Sequence, residues 1–217
     1  MARALAGQWA RAGHSVFFGS RTAEKGKAVA DEIGFGAQGG TNEDAMIQFQ
    51  PDVILHTVRL SPKEFLSPSA AALLDGKTII DLNNHDFPRP DPVKDLAGLS
   101  LAGAVQAAHP QSNVVKAYNT MAMEVFDHDP KDLRQLGVSA FIAGNDPNAV
   151  QTVSKLSDDL GLHPVPFGTL EQAWLLEAQG DFIRTLIFKD MDPMMTINAR
   201  SIPKAASPLF ERKQGTY

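Results

Sequence analysis

Residues 16–25, Val-Phe-Phe-Gly-Ser-Arg-Thr-Ala-Glu-Lys, decide the fold. Val16-Phe17-Phe18 is a short apolar run, rich in aromatics, of the kind that forms a buried strand; Gly19 ends it. Thr22 can cap a helix with Ala23 to Ile33 as its body and Gly34 as its stop. On the other side of the run, Ala2 to Ala12 reads as a helix. Ala2, Leu5, Ala6 and Trp9 share one face at the 3.6-residue period, and Gly13 follows as a left-handed stop. Helix, strand and helix therefore succeed one another with only short turns between them.

The alternation continues along the chain. Thr41 and Asp44 form a capping box, with Asp in place of Glu, that opens a helix through Ala45, Met46 and Phe49. Strands are expected at Asp52–Val58, Thr78–Leu82, Asn113–Tyr118, Val138–Ala143 and His163–Phe167. Helices are expected at Ser67–Leu74 and Ala102–Ala108. Another starts at Asp146-Pro147, with Val150, Val153, Leu156 and Leu160 inward and Gly161 as its stop. A further capping box, Thr169 and Gln172, opens a helix towards Lys189. The three prolines in Asp86–Pro92 require an irregular loop, and the tail Asp190–Tyr217 has no clear period. Strands alternating with helices predict a doubly wound α/β fold around a parallel sheet, a Rossmann-like class with right-handed crossovers. The expected division is a dinucleotide-binding part over 1–120, a smaller α/β part over 121–189 that completes a substrate cleft, and a tail over 190–217.

Composition narrows the chemistry. The 217 residues carry 20 Lys and Arg against 25 Asp and Glu, a net charge of −5. That balance gives no electrostatic case for nucleic acid or an anionic membrane. There is no cysteine, so disulfides, thiolate metal sites and a cysteine nucleophile are excluded. No stretch approaches the ~20 apolar residues of a membrane span. The N-terminus lacks the apolar core and cleavage site of a secretory signal, so the expected location is the cytoplasm. The histidines have no metal-binding spacing, and there is no G-x-S-x-G elbow.

The strand-to-helix turn Gly19–Lys25 carries the most information. In a dinucleotide fold this position meets the adenosine ribose, where a carboxylate selects NAD. Here Ser20, Arg21 and Lys25 offer a hydroxyl, a guanidinium and an ammonium, which suit the 2′-phosphate of NADP. The alternative is a pair of solvated surface charges. A second set lies at strand C-termini, the ligand edge of an open α/β sheet. It comprises Thr57-Val58, Asn83-Asn84, Ala117, Asn119 and Thr120, small and amide residues that suit a flat nicotinamide ring or form ordinary strand-end turns. The methionines Met121 and Met123 either fill core gaps or pack on the edge of a flavin. A dinucleotide fold opens with a strand and a G-x-G-x-x-G/A loop, whereas Met1 falls at the helix that should follow. The expectation is that Ala2 is the third small residue of that fingerprint. The first strand and leading glycines would then lie upstream of Met1 or be lost.

Three segments together resemble a known family: RALAGQWARAGHSVFFGSR, VVKAYNT, and AGNDPNAVQTVSKLSDDLGLHPVPFGTLEQAWLLEA. They look like the NADP oxidoreductases dependent on coenzyme F420, relatives of the reductase domain of STEAP proteins. The resemblance runs from about residue 2 to about residue 180. It implies that Ser20, Arg21 and Lys25 grip the 2′-phosphate, and that Val58 and Ala117 lie near the nicotinamide. It also implies direct hydride transfer between NADPH and a deazaflavin or flavin, with no catalytic acid–base residue. The stretch Asn83-Asn84-His85-Asp86 departs from the Asn-Pro turn of that family, and the tail after about 180 differs too. Two other readings stand beside it: a non-catalytic NADP-binding scaffold, and a reductase of a small carbonyl or imine. Trp174, Leu175, Leu176, Phe182, Ile183, Leu186 and Ile187 exceed one helix face, and fit either a homodimer or packing on the chain's own sheet.

Overall fold

A computed structural model gives the fold and describes residues 1–59, 61–86 and 100–202. The first half alternates as the hydrophobic pattern requires. Helix α1 spans Ala2–Arg11, strand β1 Phe17–Ser20 and helix α2 Ala23–Ile33. Leu5 and Trp9 of α1 are buried, as their spacing predicts. Strand β2, Gln38–Thr41, was not expected, because Gln-Gly-Gly-Thr has little strand propensity. Packing explains it. A Cβ at Gly26 of α2 would collide with the backbone of Gly40, so glycines on both sides let helix and strand backbones touch.

The Thr41–Asp44 capping box is present and opens the short helix α3, Asn42–Asp44, which continues as a π turn over Ala45–Phe49. Strand β3 spans Val53–His56, helix α4 Pro68–Ala72 and strand β4 Thr78–Asp81. Helix α5 spans Leu101–Ala108 and strand β5 Asn113–Lys116. The proline loop expected over Asp86–Pro92 lies, from residue 87, outside the described residues. A 3₁₀ turn at Met123–Asp127 and helix α6, Pro130–Leu136, fill a stretch whose sequence shows no clear period. Strand β6 spans Ser139–Gly144, helix α7 Pro147–Asp159, strand β7 His163–Gly168 and helix α8 Ala173–Asp190. The Asp146 cap and the Thr169–Gln172 capping box both form.

The strands make two sheets, β1-β2 and β3-β4-β5-β6-β7. All pairs are parallel except β5 with β6, which is antiparallel and departs from the all-parallel expectation. The chain between β5 and β6 runs through the 3₁₀ turn and α6 and enters β6 reversed. Among the described residues β1 pairs only with β2, and β3 only with β4. Among those residues both keep an open backbone edge. Burial agrees: Val53, Ile54 and Leu55 of β3 are half-buried, whereas all four residues of β4 are buried. The main core gathers Leu5, Trp9, Ile80, Val115, Tyr118, Ile142, Val153 and Leu160. Beyond α8, the side-chain oxygen of Asn198 accepts from Ser139 N and Ala199 N donates to Ser139 Oγ, so this part of the tail lies along the start of β6. Residues 203–217 of the tail lie outside the described residues.

Candidate functional site

Two regions hold the residues singled out by sequence. The first is the turn from β1 into α2. Ser20 ends the strand half-buried, and Arg21 and Lys25 are exposed. Among the described residues, neither cation has a hydrogen-bond or ion-pair partner. Thr22 occupies the N-cap of α2 in extended conformation, yet its side chain makes no capping bond. By contrast, Thr41, Ser67, Ser100, Asp129 and Asp146 each accept a bond from their helix's first turn. The start of α2 thus combines unfilled backbone donors, the positive end of an 11-residue helix and two uncommitted cations. Glu24 shares this turn and is exposed, so two cations offset one carboxylate. This donor set fits a phosphate dianion.

The second region is the C-terminal edge of the five-stranded sheet. Thr57 is half-buried and the Val58 side chain is 45% exposed, while the Val58 carbonyl accepts from Asn83 Nδ2 at 3.0 Å. Ala117 is fully enclosed in the main core. Tyr118 follows with φ +60°, a backbone conformation that a bulky residue adopts only when its surroundings enforce it. They do. Its ring packs edge-on against Trp9 at 5.9 Å, and its hydroxyl lies 2.9 Å from Ser157 Oγ. Burial pushes the Tyr118 phenol well above its ordinary range, against the opposing Ser157 bond and with a further push from Asp159.

That kink directs Asn119 towards Asn84 and α8. Asn119 Nδ2 donates to Asn84 Oδ1 at 2.9 Å and to Leu176 O at 2.7 Å, while Asn84 Nδ2 donates to Asn119 O at 2.7 Å. Asn84 sits so close to α8 that a Cβ at Gly180 would meet its Oδ1 at 2.5 Å. Among the described residues, nothing donates to the buried Asn119 Oδ1. Thr120 is buried beside it. Of the two methionines weighed for a flavin edge, Met121 lies in the core and Met123 is half exposed.

The sheet register also builds a charged row that sequence reasoning missed. His56 stands opposite Asp81, and Asp81 opposite Lys116, each at the last position of its strand. Lys116 Nζ donates to Asp81 Oδ2 at 2.8 Å and to Glu177 Oε1 of α8 at 2.9 Å, and also to the Asn83 carbonyl. Asn83 Nδ2 donates to Asp81 Oδ1 at 2.7 Å, and His56 Nδ1 lies 3.2 Å from the same oxygen. His85 Nε2 meets Glu177 Oε2 at 3.0 Å. Lys116, Asp81 and Glu177 are at most 1% exposed. Burial alone would raise the Asp81 carboxyl. The Lys116 ammonium and the bonds from His56, Lys116 and Asn83 outweigh it and hold the group down to about 2. A signal for this row exists in the sequence: three successive apolar runs, VILH, TIID and NVVK, each end on an ionisable residue. Glu177 carried none, because it lies in an otherwise mixed helical segment.

Among the described residues no group of three or more His, Asp or Glu is placed to hold a metal ion, and no helix is long and apolar enough to cross a membrane. Residues 1–85 match the family described as NADP oxidoreductase, coenzyme F420-dependent. A candidate F420-dependent NADP reductase from Arthrobacter sp. FB24 has the same fold, with a TM-score of 0.74. It is 22% identical, and the likeness covers 92% of this chain and 94% of that one. A hypothetical protein from Sinorhizobium meliloti is 28% identical with a TM-score of 0.61, covering 79% of this chain and 82% of its own. No curated protein sequence matches the chain.

Proposed function

We propose, from the match of residues 1–85 to the F420-dependent NADP oxidoreductases, that this chain is an NADP-dependent oxidoreductase. It would pass a hydride between NADPH and a deazaflavin such as coenzyme F420, or a flavin. The observation that carries the reading is the start of α2. Its uncapped N-terminus and Arg21 and Lys25, without partners among the described residues, offer charge and donors that a 2′-phosphate needs and an NAD ribose does not. Ser20 adds a hydroxyl at the same turn. When bound, the nicotinamide supplies the hydride.

The chain's own part is to bind, orient and exclude water. Thr57, Val58 and Asn119 would border the nicotinamide, and Ala117 would support that border from the core. The Asn119 Oδ1 behind this border is a buried acceptor with no donor among the described residues, at a cost of about 1–3 kcal/mol. The interlocked Asn84 and Asn119 amides hold this end of the sheet edge in place. The exposed apolar residues of α8, Phe182 at 59% and Trp174 at 38%, support a homodimer through this helix. Sedimentation showing only monomer at micromolar concentration would remove that part.

The test is a fluorescence titration with NADPH and NADH, followed by NADPH oxidation with coenzyme F420 or FMN as acceptor. Tight NADPH binding, weak NADH binding and turnover are expected. Equal affinity for the two nucleotides would overturn the cofactor assignment. Binding without turnover of any acceptor would favour a non-catalytic NADP-binding scaffold.

A further inference from the structure

We infer that His85 is the proton donor of this site and that Glu177 positions it. The inference rests on the oxidoreductase reading and extends it to the proton that accompanies the hydride. His85 follows the Asn83-Asn84 turn at the C-terminal end of β4, on the ligand edge of the sheet. Its Nε2 sits 3.0 Å from Glu177 Oε2, and its backbone carbonyl accepts from Arg184 Nη1 at 2.9 Å. Two contacts to one helix therefore fix both the ring and the backbone. Glu177 is itself fixed, because Lys116 Nζ holds its other oxygen at 2.9 Å.

Exposure points to the same residue. Among the described residues the buried cluster contains the carboxylates of Asp81 and Glu177 and the Lys116 ammonium, with an imidazole against each carboxylate. His56 is 4% exposed and locked between Asp81 and Asn83, whereas the His85 side chain is 21% exposed and reaches solvent. Among the described residues the charged groups around His85 include Glu177, Asp181 and Arg184 on α8, and Lys116 and Asp81 behind Glu177. The neighbouring Asp86 pairs with Arg59.

A hydride acceptor of this class gains a hydride at carbon and a proton at nitrogen or oxygen. The hydride brings both electrons of the new C–H bond. The N–H bond on the doubly protonated His85 breaks at Nδ1, its electron pair stays on that nitrogen, and the proton goes to the acceptor heteroatom. Nε2–H remains on Glu177, and solvent returns the lost proton. A deazaflavin and a small imine or carbonyl share this requirement.

The test has a labelling arm and a kinetic arm. Wild-type protein is treated with diethyl pyrocarbonate with and without NADP⁺ plus coenzyme F420, and His85 modification is read by peptide mass spectrometry. Labelling several-fold slower in the presence of ligands is expected; unchanged labelling overturns the inference without any variant. In single-turnover NADPH oxidation, the wild-type rate falls as pH rises, because the donor must start protonated. His85→Gln slows the step about 10²-fold and flattens that pH profile, with NADPH affinity unchanged. Glu177→Gln shifts the profile and keeps part of the rate. A His85→Gln variant with wild-type rate and profile overturns the inference and leaves the oxidoreductase reading standing. Failure of the wild type to bind NADPH overturns both. Running coenzyme F420 and a cyclic imine in parallel identifies which acceptor takes the proton.

Discussion

The Lys116 ammonium lies 2.8 Å from Asp81 Oδ2, and both side chains are fully enclosed. The parallel register of β4 and β5 sets this pair, since Asp81 and Lys116 are directly opposite partners at the strand ends. Glu177 then ties α8 to the same ammonium at 2.9 Å. One cation thus joins two strands and a helix. Replacing it by Lys116→Met leaves two buried carboxylates facing each other. A loss of about 3–5 kcal/mol is expected, read as a lower urea midpoint. A midpoint equal to wild type would mean that the cluster does not hold α8.

Acid should weaken the fold through Asp81. Its carboxyl is held down to about 2, below the ordinary value of 3.8. A depressed folded-state value stabilises the fold above the unfolded-state value, and this contribution is lost as pH falls from about 4 through about 2. The contribution is on the order of 2 kcal/mol. Urea unfolding at pH 7, 4 and 2.5 measures it. In Asp81→Asn the part of the decline owed to this residue should vanish.

Nucleotide selectivity should reside in one side chain. Arg21→Ala should weaken NADPH binding by about 1.5–3 kcal/mol and leave NADH binding unchanged. Paired titrations of wild type and variant decide it. Equal losses for both nucleotides would move Arg21 away from the 2′-phosphate.

The open edges of β1 and β3 should show in backbone exchange. Among the described residues β3 is hydrogen-bonded on one side only, whereas β4 is paired on both. Amides of Val53–Leu55 should exchange with deuterium faster than those of Ile79–Asp81. Equal protection would mean that β3 has a second partner in solution.

The contact of α2 with β2 tolerates no side chain at its centre. Gly26→Ala would drive a methyl into the Gly40 backbone, and neither backbone can retreat without unpairing β1 from β2. A loss of about 1–3 kcal/mol is expected from overpacking. A thermal melt unchanged from wild type would refute the close approach.

The alternation of elements, most helix starts and stops, and the cation-bearing turn at Ser20–Lys25 are legible in the residues alone. These are local properties. Hydrophobic period, capping chemistry and glycine stops act within a few residues, so Thr41–Asp44, Asp146-Pro147 and Thr169–Gln172 could be read directly and are found as capping structures. Strand β2 was illegible because Gln-Gly-Gly-Thr is a strand only by virtue of β1 beside it and the glycine face of α2 above it. The reversed direction of β6, and edges of β1 and β3 that no other described strand covers, come from the three-dimensional arrangement alone. It alone also assembled the His56–Asp81–Lys116–Glu177–His85 cluster. Those residues are up to 121 positions apart, and nothing local brings them together. Strand register aligned the first three, and the packing of α8 on the sheet edge supplied the fourth and oriented the fifth. Charges buried in this way are stable only as a set, so the ionisable ends of VILH, TIID and NVVK acquire their meaning only once register and α8 bring them together.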